Sequence, residues 1–429
     1  MRFFRVFPVL AAVSLCAGAS LLFSQTRVLR EISFTGTSAY TQAELLAFTG
    51  LKPGSSVTQQ QVDDAAQHLG DTGLFEDVNY SGNDKGIVYT LKPAATSAMR
   101  PARFGNFAWW QDDEIRQTLK TRVALYRDNA IPTEGNMRAS ISAALTAMLA
   151  EKGVTGATVA SRLGASRPGG PLDRIVFAID SPAVIIHSLT LVDASPGMRP
   201  KLDRVIHDVV GQQWDKDASF LNVESRVGDV YHNEGYLDLA LTKQEHSAPA
   251  ITANDIELDL TASLSEGVQY HVAQLAWPGS ELLSTADFNK QATLKVGDHD
   301  SPIALRESLK SITNAYGAKG YIEAKVSAPP VVDRVAHQVA YSISVEPGPQ
   351  YRFKSVGWPS LSDALAKAFD AQWQMKPGDV YDSNYLIRFL SQSPLLKQGY
   401  TPNIMMKRDP AALTVDLTVT FTKAGEPAR

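Results

Sequence analysis

Chemistry near neutral pH would fall first to histidine, and the chain holds eight: His68, His187, His207, His232, His246, His271, His299 and His337. No two stand in the H-x-x-x-H or H-E-x-x-H spacing that places paired metal ligands on one helix face. The densest group of candidate ligands is Gly297-Asp298-His299-Asp300-Ser301, where two carboxylates flank an imidazole. Its place directly ahead of an expected helix start favours capping, because negative charge is stabilised at the first helical turn. The carboxylates in Asp112–Glu114 and Asp203–Asp208 take the same reading. The sequence contains no G-x-S-x-G elbow, no Walker loop and no Rossmann glycine pattern. Trp109 and Trp110 could stack on a ligand; the expectation is instead one ring in a core and the other at a domain joint. These residues predict no catalytic group, no metal and no cofactor, and a protein that is not an enzyme.

At 429 residues, 44% apolar and 20% charged, the chain has room for several folded domains. The formal charge of -4 is spread without long runs of one sign, which leaves no footprint for nucleic acid. The N-terminus is different. Arg2 and Arg5 precede an apolar run from Val6 to Leu15, followed by small residues at Ala17 and Ala19, the pattern of a secretory signal. Cleavage after Ala19 would remove the one cysteine, Cys16. Because the apolar stretch continues to Phe23, an uncleaved inner-membrane anchor over residues 6–23 stays open as the alternative.

Five glycines mark a repeat. Gly73, Gly153, Gly235, Gly320 and Gly399 each stand where a helical pattern gives way to alternation, and by subtraction they lie 80, 82, 85 and 79 residues apart. The first unit shows the order: a strand at "VLREISFTG", a helix opened by a Thr41/Glu44 capping box, a second opened by Thr58/Gln61, then strands "LFEDVNY" and "GIVYTL". Gly73 is expected in the left-handed conformation that glycine adopts cheaply. The fourth unit repeats this, with Ser301-Pro302 opening a helix whose buried stripe is Leu305, Leu309, Ile312 and Tyr316. In the fifth, Pro394 predicts a kink or early end of the second helix. The second and third units match by order and spacing only; they carry a glycine-, proline- and arginine-rich excursion, "SRLGASRPGGPLDR", and a long connection, "KQEHSAPAITANDI". The first of these is expected to be a mobile loop. Proline-bearing joins predict a semi-rigid chain of beads.

The unit order, "ISFTG", "LLAFTGLKPGSSVT" and the "GLFEDV" or "GYIEAKV" junction resemble POTRA domains, the polypeptide-transport-associated modules of BamA-type outer-membrane barrel assembly proteins. The resemblance implies an α+β fold of five tandem β-α-α-β-β domains, each a three-stranded sheet with two helices on one face, arranged as an extended chain. The expected spans are 26–93, 99–182, 183–268, 269–347 and 349–424, after a signal peptide or anchor over 1–25. The sequence closes at "VTFTKAGEPAR" without the alternating strands of a barrel, so the expectation is action beside a separate barrel-bearing partner.

By that resemblance the chain is a periplasmic, membrane-proximal scaffold, associated with the outer membrane and binding barrel proteins, their assembly machinery or unfolded outer-membrane clients. A division or envelope scaffold anchored in the inner membrane is the alternative. Its expected chemistry is strand addition, in which an extended client pairs with a free sheet edge by backbone hydrogen bonds. The second strand of each unit is expected at that edge, which makes Phe75, Val78, Tyr236, Leu239, Tyr321, Ile322, Val326 and Ile404 the candidate partner-binding residues. The competing reading is that these strands are structural, guarded from aggregation by Glu76, Asp77, Glu323 and Lys325.

Overall fold

A computed structural model describes residues 26–423 apart from 83, 84 and 168, so the expected signal segment and Cys16 lie outside the described residues. Local chemistry sets the helix limits. Thr41 and Glu44, then Thr58 and Gln61, form reciprocal capping boxes at the starts of helices Gln42–Thr49 and Gln59–Asp71. Gly50 ends the first of these in a left-handed conformation. Ser284 caps Thr285–Gln291, and Ser301 caps Pro302–Gly317 with proline at the first position, where its missing N–H costs nothing. Pro394 ends the second helix of the fifth repeat early: Ser383–Ser391 stops, and a separate turn, Pro394–Lys397, follows.

Among the described residues, five sheets of three or four strands share one order, with the last strand of each unit in the centre. The opening strands Glu31–Thr35, Ala102–Phe104, His271–Ala276 and Arg352–Gly357 run parallel to central strands Gly86–Pro93, Leu172–Ser181, Gln338–Ser342 and Thr414–Lys423. The middle strand of each unit runs antiparallel on the other side: Phe75–Gly82, Thr158–Ala165, Ala240–His246, Pro330–Asp333 and Tyr400–Asp409. A parallel pair needs a crossover, and the two helices between opening and closing strands supply it. The helices fill one face of each sheet. In the fifth repeat Val415, Leu417, Val419 and Phe421 alternate inward against Phe369, Leu386 and Leu390, each fully buried aliphatic side chain contributing about 2 kcal/mol.

The chain divides into two compact units. The first runs to Ile185 and includes Gln213–Asp217 and Ala248–Leu258; the second comprises Ile186–Gln212, Ala218–Ser247 and the residues from Asp259 onward. The first and second sheets belong to the first unit, the fourth and fifth to the second.

Several sequence expectations are corrected. Most of "SRLGASRPGGPLDR" is sheet rather than loop, because strands Thr158–Ala165 and Leu172–Ser181 extend into it from both ends. The connection in the third repeat contributes its own strand, Ala250–Ile251, paired with Glu257 and Ile256. "YLDLAL" turns before becoming a strand at Ala240, and "YIEAKV" yields only Lys325–Ser327, paired with Ser344–Glu346 outside the main sheet. Trp109 and Trp110 are both half-buried with ring centroids 5.8 Å apart, so neither is a core residue.

Candidate partner-binding edges and the joints between repeats

The five junction glycines all have positive φ, between 75° and 89°. In the third and fourth repeats each ends its helix in the same way. The N–H of Tyr236 donates to the Tyr231 carbonyl and that of Tyr321 to the Tyr316 carbonyl, both at 3.0 Å, while the ring of each following tyrosine packs edge-on against the helical one. The glycine carbonyl that this turn frees points to the next repeat. Tyr270 N–H donates to Gly235 O, and Tyr351 N–H to Gly320 O, both at 2.8 Å. A Cβ at Gly235 would stand 2.7 Å from the Tyr270 carbonyl oxygen, and one at Gly320 would stand 2.6 Å from that of Tyr351, so the approach needs glycine.

Side chains complete this joint twice over. The hydroxyl of buried Tyr270 donates to Asp238 at 2.6 Å, and that of buried Tyr351 donates to Glu323 at 3.0 Å. Arg334 pairs with Asp238 and Arg408 with Glu323, each from the hairpin of the following repeat. The amides of Gln269 and Gln350 donate to the carbonyls of Glu234 and Lys319, one residue before the glycine. The Tyr270 hydroxyl, and after it Arg334, hold the Asp238 carboxyl below the usual range. In "GDHDS", Ser301 caps the helix, Asp298 accepts the Lys295 N–H, and buried Asp300 accepts the Tyr341 hydroxyl at 2.7 Å. Burial pushes the Asp300 carboxyl up. Among the described residues no cluster of His, Cys, Asp and Glu could hold a metal ion.

The first two repeats meet differently. Gly73 lies against Glu134, whose carbonyl oxygen would be 2.2 Å from a Cβ, and Asn136 N–H donates to Asp71 O at 2.7 Å. Arg127 from the second repeat donates to Glu44 at 2.8 Å and to the Ala39 carbonyl, with its guanidinium 4.7 Å from the centre of the Tyr40 ring. Hydrogen bonds from the Thr41 backbone, then from Arg127, depress Glu44 to about 2. This contact uses the capping carboxylate, with no tyrosine hydroxyl involved.

The expected partner-binding residues scatter across these roles. Phe75 is buried and Val78 half-buried on Phe75–Gly82; Tyr236 and Tyr321 are packed on their helices. Leu239 precedes its strand, Ile322 packs against the core of the fifth repeat, and Val326 packs into that of the fourth. Ile404 alone among the eight is an exposed residue on a sheet-edge strand, 40% accessible. The neighbouring Met405 and Met406, 69% and 40% accessible, were not among the expected residues; their signal is an apolar run in a strand that, among the described residues, has one neighbour.

The edges also differ in how they are guarded. Phe75–Gly82, Thr158–Ala165 and Ala240–His246 each pair with their central strand through a register shift, and Pro330–Asp333 has only four residues and starts with proline. Bulges, short length and proline are devices that spoil an edge for further pairing. Tyr400–Asp409 has ten residues in unbroken register with Thr414–Lys423. Its core-facing side chains Ile404 and Met406 stand opposite Val419 and Leu417, and among the described residues no strand pairs with its outer side.

The family model for POTRA, described as surface antigen variable number repeat, matches residues 28–94 and 270–348. These segments are POTRA domains. Each carries the strand, helix, helix, strand, strand order described above, and together with the three further sheets they make an α+β chain of POTRA-like architecture. No curated protein matches the chain. Solved structures that match the chain include BamA POTRA3-5 of Haemophilus influenzae, 16% identical over 56% of this chain and 96% of that one, with a TM-score of 0.42. Others are the N-terminal domain of Omp85 from Thermosynechococcus elongatus, 14% identical over 58% and 100%, TM-score 0.24, and CdiB from Escherichia coli, 14% over 55% and 36%, TM-score 0.20. Among the described residues no helix is long and apolar enough to cross a membrane.

Proposed function

We propose that the chain is a non-enzymatic periplasmic scaffold of five POTRA-like domains that binds extended protein segments during outer-membrane barrel assembly or client handover, beside a barrel-bearing partner. The POTRA matches support a protein-interaction role, and one observation carries the mode of binding: the Tyr400–Asp409 edge is long, in continuous register and apolar at its centre, and among the described residues no strand pairs with its outer side. An added strand gains backbone hydrogen bonds with little demand on sequence, which suits clients that share only an extended, alternating pattern. Ile404, Met405 and Met406 are the side chains such a strand meets first; Phe75 and Val78 lie on the more guarded edge of the first repeat.

The test is a pull-down with the tagged chain from detergent-solubilised envelope, with bound proteins identified by mass spectrometry. Recovery of a barrel protein or its assembly machinery is the expected result. Recovery of inner-membrane division components alone would replace this reading with that of an anchored envelope scaffold.

A further inference from the structure

The outer ladder of Tyr400–Asp409 has one occupant whose chemistry can be read from the strand itself. In an antiparallel pair formed about a two-fold axis, residues facing one another lie on the same side of the sheet, so the helices of both copies stay on one face. With Met405 on the axis, Met405 faces Met405 of the second copy, Ile404 faces Met406, Asn403 faces Lys407, Pro402 faces Arg408 and Thr401 faces Asp409. Each exposed apolar side chain meets another apolar one, and no like charges stand opposite. Moving the axis to Ile404 sets Met405 against Asn403 and Met406 against Pro402; moving it to Met406 sets Ile404 against Arg408 and Met405 against Lys407. Placed at Lys407, the axis would oppose two lysines, a destabilising arrangement.

We infer that two copies of this chain associate through their Tyr400–Asp409 strands, antiparallel and centred on Met405, joining the two fifth-repeat sheets into one continuous six-stranded sheet. The interface is one strand wide, at the small end of the range for specific association, so the dimer is weak and concentration-dependent. Because the pairing consumes the ladder a client would use, free chain covers its own edge and a bound strand displaces the second copy. The dimer does not depend on the proposed function, since it forms from purified chain alone.

The experiment takes the full chain carrying Cys16→Ser, which removes its single cysteine. Sedimentation velocity from about 1 to 300 µM is expected to show a monomer–dimer equilibrium, weakened at least tenfold by Met405→Lys. Mild oxidation of Met405→Cys is expected to give a disulfide-linked dimer, since facing residues of an antiparallel pair have Cα atoms within disulfide reach. Ile404→Cys alone should give no disulfide-linked dimer, while the double variant Asn403→Cys/Lys407→Cys should link. A chain that stays monomeric to 300 µM, a dimer indifferent to Met405→Lys, or equal linking through Ile404→Cys and Met405→Cys would each overturn the inference. Failure here with barrel proteins still recovered in the pull-down would leave the scaffold reading standing, and the reverse would leave the dimer standing.

Discussion

The joint at Tyr351 and the strand Tyr400–Asp409 belong to the same compact unit and are built on opposite terms. At the joint, recognition is specific to residue type: a glycine for close approach, a tyrosine hydroxyl on Glu323, an arginine on the same carboxylate and a glutamine on the neighbouring carbonyl. At the exposed centre of the strand, Ile404–Met406, the proposed recognition is left to the backbone and the side chains supply apolar cover, while Arg408 near its end is shared with the joint. Changes at the joint residues off the strand should therefore cost stability and leave strand capture alone, while changes at Ile404–Met406 should do the reverse.

The largest expected effect is at the glycine. Gly320→Ala puts a Cβ 2.6 Å from the Tyr351 carbonyl oxygen at φ 83°, and should destabilise the chain by about 3 kcal/mol, read from chemical denaturation. Gly399, which also has positive φ but would meet nothing within 4 Å, should lose less on the same change, about 1 kcal/mol. Next comes Met405→Lys, which should lower capture of an extended barrel segment about tenfold while shifting the melting temperature by less than about 1 °C, since Met405 is exposed. Tyr270→Phe removes the hydroxyl on Asp238 and should lower the melting temperature by about 2–4 °C without changing capture, measured by calorimetry and by binding in parallel.

The smallest effect is at the first joint. Glu44 is held down from its usual 4.5 to about 2, so its contribution is complete above pH 4.5 and is lost as the pH falls through 2. The protection of amides in residues 39–44, relative to their intrinsic exchange rates, should fall over that window, and Glu44→Gln should remove this pH dependence. The pair with Arg127 is about two-fifths exposed, so solvent screening keeps the effect small.

Much of the architecture is legible in the residues because its causes are local. Thr41/Glu44 and Thr58/Gln61 cap their helices, the five glycines take positive φ, and Pro394 breaks its helix, each through contacts a few residues away in sequence. The strand limits were less legible. "YIEAKV" alternates as a strand should, yet Tyr321 packs on Tyr316 and Ile322 on the fifth-repeat core, which holds the segment in a turn until Lys325. The joint was hidden for a similar reason. Tyr270 and Asp238, or Tyr351 and Glu323, are about thirty residues apart, and only folding shows that "QY" at Gln269-Tyr270 and Gln350-Tyr351 meets the glycine turn before it. Ile404 was named for its place on the second strand of its unit, and the structure places that strand at a sheet edge with Met405 and Met406 exposed beside it.

The most direct test of strand addition is hydrogen–deuterium exchange on the full chain with and without an unfolded outer-membrane barrel segment. Strand addition predicts that the segment slows amide exchange across Tyr400–Asp409 at least tenfold while the joint amides of Tyr270 and Tyr351 keep their rates. Binding that leaves the 400–409 amides unchanged, or that protects the joints instead, would contradict it.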